Sequence, residues 1–232
     1  MARVKLRDGE RLHVRTIGRG EPVVLLHGFA SNSSHWLPNV LPYQRRYRFI
    51  LPDLRGFGQS HHLPIDVDNV FAQYADDLND VLNHFQLNHT ALGGISTGAY
   101  VCLIYNQRFG FDRISKYLNI EHTPQCRNDE QWSHGLFRER QHEIFSEFEY
   151  LLELVHNAGI NTPYWELPDH VRREMRLTLT RVIGRAVNNK ATRMLIRSVS
   201  RVGERVFAGR VFPIDHWYAY LQVMQGFMAG YD

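Results

Sequence analysis

The chemistry in this chain starts at Gly94-Ile95-Ser96-Thr97-Gly98. A G-x-S-x-G run between a strand and a helix makes a sharp turn that lifts the serine clear. Its two glycines let the backbones close up. The hydroxyl then stands at a helix N-terminus, where backbone N–H groups and the dipole favour a developing oxyanion. The same spacing also describes a tight packing turn with an idle serine. A serine nucleophile needs a base to take its proton and an acid to orient that base. The acid candidate is Glu121, which ends the segment ISKYLNI; a strand-end carboxylate that caps the next loop is the plainer alternative. The base is the gap. His122 adjoins Glu121, but neighbours along a strand point to opposite faces. His35, His61 and His62 sit on loops, where a solvated side chain is the default. His216 opens a helix in apolar surroundings, and no histidine follows it.

The elements that must position these groups alternate. VKLRDGERLHVRTIG alternates apolar and polar residues around Asp8-Gly9, a hairpin signal. VVLLHGF, from Val23 to Phe29, is a short continuous apolar run of the kind found in buried parallel strands. YRFILPDLRGFGQS is a second such strand, which ends at Asp53 in a glycine-rich turn. Val70 to Phe85 carries apolar residues at helical spacing. HTALGGIS reads as a strand that runs straight into the helix TGAYVCLIYNQRF, and ISKYLNIEH follows as a strand whose last apolar residue is Ile120. Strand–helix alternation of this kind predicts a parallel sheet with helices on both faces.

From about Thr123 the pattern turns helical, and no further strand is convincing. Ser146 to His156, His170 to Asn188, a stretch through Leu195 to Val206, and HWYAYLQVMQGFM each carry an apolar seam. The reading is therefore an α/β core over residues 1–122 and a helical region over 123–232. Trp165, Trp217, Tyr218 and Phe227 read first as core of that region, with some lining an acyl pocket.

Composition excludes several classes. The 232 residues are 44% hydrophobic and 22% charged, enough for one sizeable core and too few for two full domains. A net charge of +3 is not that of a nucleic-acid-binding polycation. No apolar run approaches the ~20 residues of a membrane span, and MARVKLRDGERL has no secretory h-region. Two cysteines, Cys102 and Cys126, cannot form a disulfide framework, so a reducing cytoplasm is expected. Their spacing with the 13 histidines matches no zinc pattern, and neither a metal nor an organic cofactor is implied.

Together these motifs resemble the α/β-hydrolase family. Beside the elbow, His27-Gly28-Phe29 looks like the family's HG-x turn, and Asp53 to Ser60 matches its D-x-R-G-x-G-x-S loop. The resemblance covers residues ~20 to 120. It implies that Phe29 and Thr97 supply the two oxyanion N–H groups, that His27 is structural, and that Asp53 and Arg55 brace a loop. Most of the family places its acid one strand later, but some branches place it where Glu121 stands. Glu121-His122-Thr123-Pro124 looks like the D-x-T-P stretch of a haloperoxidase-like esterase branch, with Glu for Asp. A dehalogenase is disfavoured because those enzymes use an Asp nucleophile and position 96 is Ser. The family's histidine follows its last strand, whereas this chain stops at Asp232, short of the last two core strands. A sheet edge left open beyond Ile120 predicts self-association, a covering helix, or a fragment of a longer protein.

In the family the helical region is a cap, and here it is strongly basic. Between His170 and Arg210, eleven Arg and Lys against Glu174 and Glu204 leave +9, so the remainder of the chain carries −6. Arg193, Arg197, Arg201 and Arg205 recur every fourth residue along one helical ridge. A basic cap suits an acidic carrier, a coenzyme A-type thioester or an anionic lipid surface; a solvated helix face is the alternative. The expected activity is a serine hydrolase acting on a small-molecule ester or thioester. The rivals are acyl transfer on the same fold and a catalytically silent binding module.

Overall fold

The structure is a computed structural model that describes residues 1–66, 68–160, 162–186 and 217–229. They fall into two compact units, Met1–Pro124 and a second that begins at Gln125.

The first unit is a six-stranded sheet: β1 (Ala2–Lys5), β2 (Arg11–Gly18), β3 (Glu21–Leu26), β4 (Tyr47–Pro52), β5 (Thr90–Ile95) and β6 (Ile114–Ile120). The order is β1-β2-β4-β3-β5-β6, so among the described residues β1 and β6 are its two edges. The hairpin lies where the alternation predicts it, with β1 and β2 antiparallel and Gly9 at φ 92° in the turn. β2 pairs antiparallel with β4, and the β4–β3, β3–β5 and β5–β6 pairs are all parallel. Successive residues face opposite sides, so β3 feeds two cores. Leu25 joins Val40, Phe49 and Leu51 on one face, beneath the short helix α1 (Leu37–Val40). Val24, Leu26 and Leu92 are buried on the other. That side carries α2 (Val70–His84) and α3 (Thr97–Phe109), which pack on each other through Phe71 and Tyr100, 4.8 Å apart edge to face. The fold class expected from the sequence, a mostly parallel sheet with flanking helices, is the one observed.

One boundary differs. The strand expected to run on through Glu121 and His122 ends at Ile120, because Glu121 takes φ 59°, outside the extended region. Strand alternation therefore stops before Glu121 and does not govern which way His122 points. The argument that sent His122 to the opposite face from Glu121 does not apply.

The second unit holds α4 (Gln141–Ala158), α5 (Asp169–Ala186) and α6 (Trp217–Ala229), with α4 packed on both others. Ile144, Phe148, Leu151 and Val155 of α4 share its core with Val171 and Met175 of α5 and Leu221, Met224 and Phe227 of α6. Trp217 and Phe227 are buried as expected, whereas Trp165 is 46% exposed. Arg172 and Arg176 donate to Trp165 O and Tyr164 Oη, and Arg181 pairs with Glu147 at 3.1 Å. Arg172 and Arg176 thus tie α5 to the turn before it, and Arg181 ties it to α4. The ridge Arg193, Arg197, Arg201 and Arg205, together with Lys190, Arg210 and His216, lies outside the described residues. Among the described residues no helix is long and apolar enough to cross a membrane.

Candidate active site

Ser96 joins β5 to α3 at φ 50°, ψ −120°, a conformation that a non-glycine residue holds only at a cost of ~1–3 kcal/mol. Three contacts fix it there. The Ser96 N–H donates to Ile120 O at 2.9 Å, and its carbonyl accepts from Tyr100 N–H at 3.1 Å. The backbones on either side touch. A Cβ on Gly94 would lie 2.5 Å from Ala99 N, and one on Gly98 would lie 2.5 Å from Leu26 O and 2.6 Å from His27 O. The strained turn thus requires both glycines of the motif. Ser96 is half-buried, and its hydroxyl makes no hydrogen bond among the described residues.

The turn after β3 lies directly against this elbow. A Cβ on Gly28 would sit 3.5 Å from Ser96 Cβ and 3.3 Å from Ile95 O. Gly28, the residue before Phe29, therefore packs against the serine. Phe29 itself is set edge-on against Phe57, 5.8 Å between centroids. Thr97 opens α3, so its N–H has no carbonyl four residues back within the helix. Its side chain is fully buried, and Oγ1 has no partner among the described residues.

The surrounding polar groups are tied into the scaffold. His27 is fully buried; its Nε2 accepts from Leu54 N–H at 2.9 Å, so Nδ1 carries the proton that it gives to Gly28 O at 2.8 Å. Burial pushes this imidazole down to about 4, and with both nitrogens engaged it is a tie between the β3 and β4 ends. Asp53 accepts from Ser33 N–H at 2.6 Å and Gln59 N–H at 2.8 Å. Arg55, 1% exposed, grips Asp77 of α2 through two bonds of 2.6 and 2.9 Å and reaches Asp8 of the hairpin turn at 2.5 Å. Burial pushes the Asp77 carboxyl up to about 6 against the pull of Arg55. The phenol of Tyr74 closes the loop by donating to Arg55 O. The bracing expected of Asp53 and Arg55 is present. Asp77 carried no motif that could have singled it out, and Asp8 was marked only as part of the hairpin turn.

The segment after β6 is built differently. Glu121 directly follows the carbonyl that holds Ser96 N–H, yet its carboxylate is exposed and makes no hydrogen bond or ion pair among the described residues. His122 is half-buried; Nδ1 donates to Thr123 O at 2.6 Å, and its ring lies flat on Tyr100, 4.9 Å between centroids at 19°. Burial lowers its basicity. Tyr100, one helical turn beyond Ser96, is a neighbour that sequence reasoning missed, since only the tertiary fold brings it to His122. Of the loop histidines, His35 meets Ser31 Oγ at 2.6 Å and His61 donates to Gly58 O at 2.8 Å. No histidine is hydrogen-bonded to Ser96 among the described residues.

A cleft of about 790 Å³ opens elsewhere in this unit, between Val23, Phe49, Ala91 and Lys116 near the starts of their strands. Ser96 lies at the other end of β5 and does not line it. No group of three or more metal-ligating side chains occurs among the described residues.

Residues 21–147 match the family described as alpha/beta hydrolase fold. A non-heme chloroperoxidase of Kitasatospora aureofaciens is 32% identical over 119 residues, 51% of this chain and 42% of that protein. A strigolactone esterase of Arabidopsis thaliana is 32% identical over 145 residues, 60% of this chain and 53% of that protein. The chain thus spans about half the length of these curated relatives. A solved thermophilic esterase from Thermogutta terrifontis superposes with a TM-score of 0.59 at 23% identity, over 95% of this chain and 71% of that one, a likeness of fold.

Proposed function

This chain belongs to the alpha/beta hydrolase fold family, and from that premise we propose that it cleaves carboxylic ester or thioester bonds through an acyl-enzyme on Ser96. The observation that carries the reading is the strained Ser96 at the first turn of α3, with Gly28 packed against its Cβ. Strain of this kind persists where the surrounding structure over-determines it, which the Ile120, Gly94 and Gly98 contacts do here.

In this mechanism Ser96 Oγ bonds to the acyl carbonyl carbon, and the carbonyl oxygen takes up the negative charge. The N–H groups of Phe29 and Thr97 receive that oxyanion, a role usually worth ~3–4 kcal/mol per donor. A histidine oriented by Glu121 takes the serine proton and passes it to the leaving alcohol or thiol as the C–O or C–S bond breaks. Water then attacks the acyl-serine, and the proton returns to Ser96.

The test pairs wild type with Ser96→Ala on a panel of p-nitrophenyl esters and on a fluorophosphonate probe. Hydrolysis and one covalent adduct at Ser96, both lost in the variant, are expected. Equal rates and equal labelling for the two proteins would leave a silent hydrolase-like fold. Supplying an alcohol acceptor and measuring how the acyl group partitions separates hydrolysis from transfer.

A further inference from the structure

The cleft near the strand starts is laid out as an apolar track with a charge at one end. Pairing aligns Phe49 of β4 with Val23 of β3, Val23 with Ala91 of β5, and Ala91 with Lys116 of β6. These residues form one row across the sheet, about 14 Å long at the usual strand spacing, and all of them line the cleft. Burial falls along the row. Phe49 is packed with Val40 of α1, Val23 and Ala91 are half-buried, and Lys116 is exposed. Tyr43 and Tyr47 line the same cleft, with the Tyr47 ring centred 6.0 Å from that of Phe49.

The polar end is shaped by an irregularity in the sheet. Thr90 pairs with Ile114 but Ala91 pairs with Lys116, so Ser115 is an extra residue in β6. Strict alternation would send Ser115 and Lys116 to opposite faces, yet both line the cleft. The bulge thus brings a hydroxyl and an ammonium together where the apolar row ends. Neither side chain makes a hydrogen bond or ion pair among the described residues. Glu21, the first residue of β3, lines the cleft on the side of the strand starts.

We propose that this cleft binds a small carboxylate with an aliphatic tail. The head group sits at Lys116 and Ser115, where an ammonium and a hydroxyl donate to its two oxygens. The tail lies along Ala91, Val23 and Phe49. Size, shape and charge select this occupant together. A volume of about 790 Å³ is in the range that holds a small molecule. The apolar row buries a hydrocarbon chain, and Lys116 supplies the charge that the head group needs. Glu21 repels the same head group from the other side, which fixes the direction in which the molecule lies. The cleft lies at the opposite end of β5 from Ser96, and binding is expected whether or not Ser96 reacts.

Isothermal titration of the full chain with decanoate, kept below its micellar range, should show one saturable site. Decanol, which lacks the charge, should bind at least tenfold more weakly. Lys116→Glu should weaken decanoate at least tenfold, and Lys116→Arg should retain it. Ala91→Phe, which fills the middle of the row, should weaken decanoate and decanol alike, with circular dichroism confirming the fold of each variant. Chemical-shift changes on adding decanoate should centre on the amides of Val23, Ala91, Ser115 and Lys116. No saturable binding overturns the proposal. So does binding indifferent to Lys116→Glu and Ala91→Phe, or shifts that centre on Ser96, where a carboxylate would occupy the ester site instead.

Discussion

The loops after β3 and β4 and the segment after β6 reach the same end of the sheet, but they are secured differently. In the first pair, His27, Asp53 and Arg55 are buried, and every one has its bonding groups occupied by backbone or by an opposite charge. After β6, Glu121 is exposed and has no partner among the described residues. The difference separates two kinds of work. In the proposed mechanism the loop beside Ser96 holds a backbone N–H in place, and such a surface has to be cross-braced in advance. In the same mechanism Glu121 orients another side chain, and an exposed carboxylate is free to turn towards it.

The comparison can be broken most forcefully at Arg55. Arg55→Ala leaves Asp77 buried without its cation and should cost ~3–5 kcal/mol in urea denaturation; a loss under ~1 kcal/mol would mean that the loop is held by other means.

His27 gives the next largest effect, and it depends on pH. The folded state keeps this imidazole neutral down to about 4, while the unfolded chain protonates it near 6.5. Stability from His27 is therefore complete above pH ~6.5 and is lost as pH falls towards 4, by ~3 kcal/mol. Asp77 works the other way in that window, since its raised value favours proton uptake by the fold. His27→Gln isolates the first effect: the advantage of wild type over the variant should shrink by ~3 kcal/mol between pH 7 and pH 4. A gap independent of pH contradicts the buried, neutral assignment.

A smaller effect of opposite sign is expected at the elbow. Ser96→Gly should raise stability by ~1 kcal/mol, because glycine accepts φ 50° without the steric cost, while the hydroxyl's chemistry is lost. An unchanged or lower melting temperature would argue against strain at this turn. The smallest effect belongs to Glu121. Glu121→Gln should change stability by less than ~0.5 kcal/mol, as for other exposed sites, while lowering any esterase activity. A large stability loss there would erase the contrast with the braced loops.

What the sequence made legible follows the same divide. Gly94, Ser96, Gly98 and Gly28 could be read in advance because a close backbone approach or a positive φ is encoded in residue type at fixed spacing. The parallel strands were legible because runs such as VVLL are buried on both faces whatever lies next to them. The conformation of Glu121 was not, since it depends on where β6 stops hydrogen-bonding rather than on the local pattern. Nor was the bond between Arg55 and Asp77, 22 residues apart, because any acid on α2 fits the helical spacing equally well. The stacking of His122 on Tyr100 likewise arises only when β6 and α3 come side by side.

The amide of Ser96 hangs from the carbonyl of Ile120. That bond ties the last residue of β6 to the turn that carries Ser96. A shift of the Ile120 carbonyl would pass directly into the backbone of the proposed nucleophile.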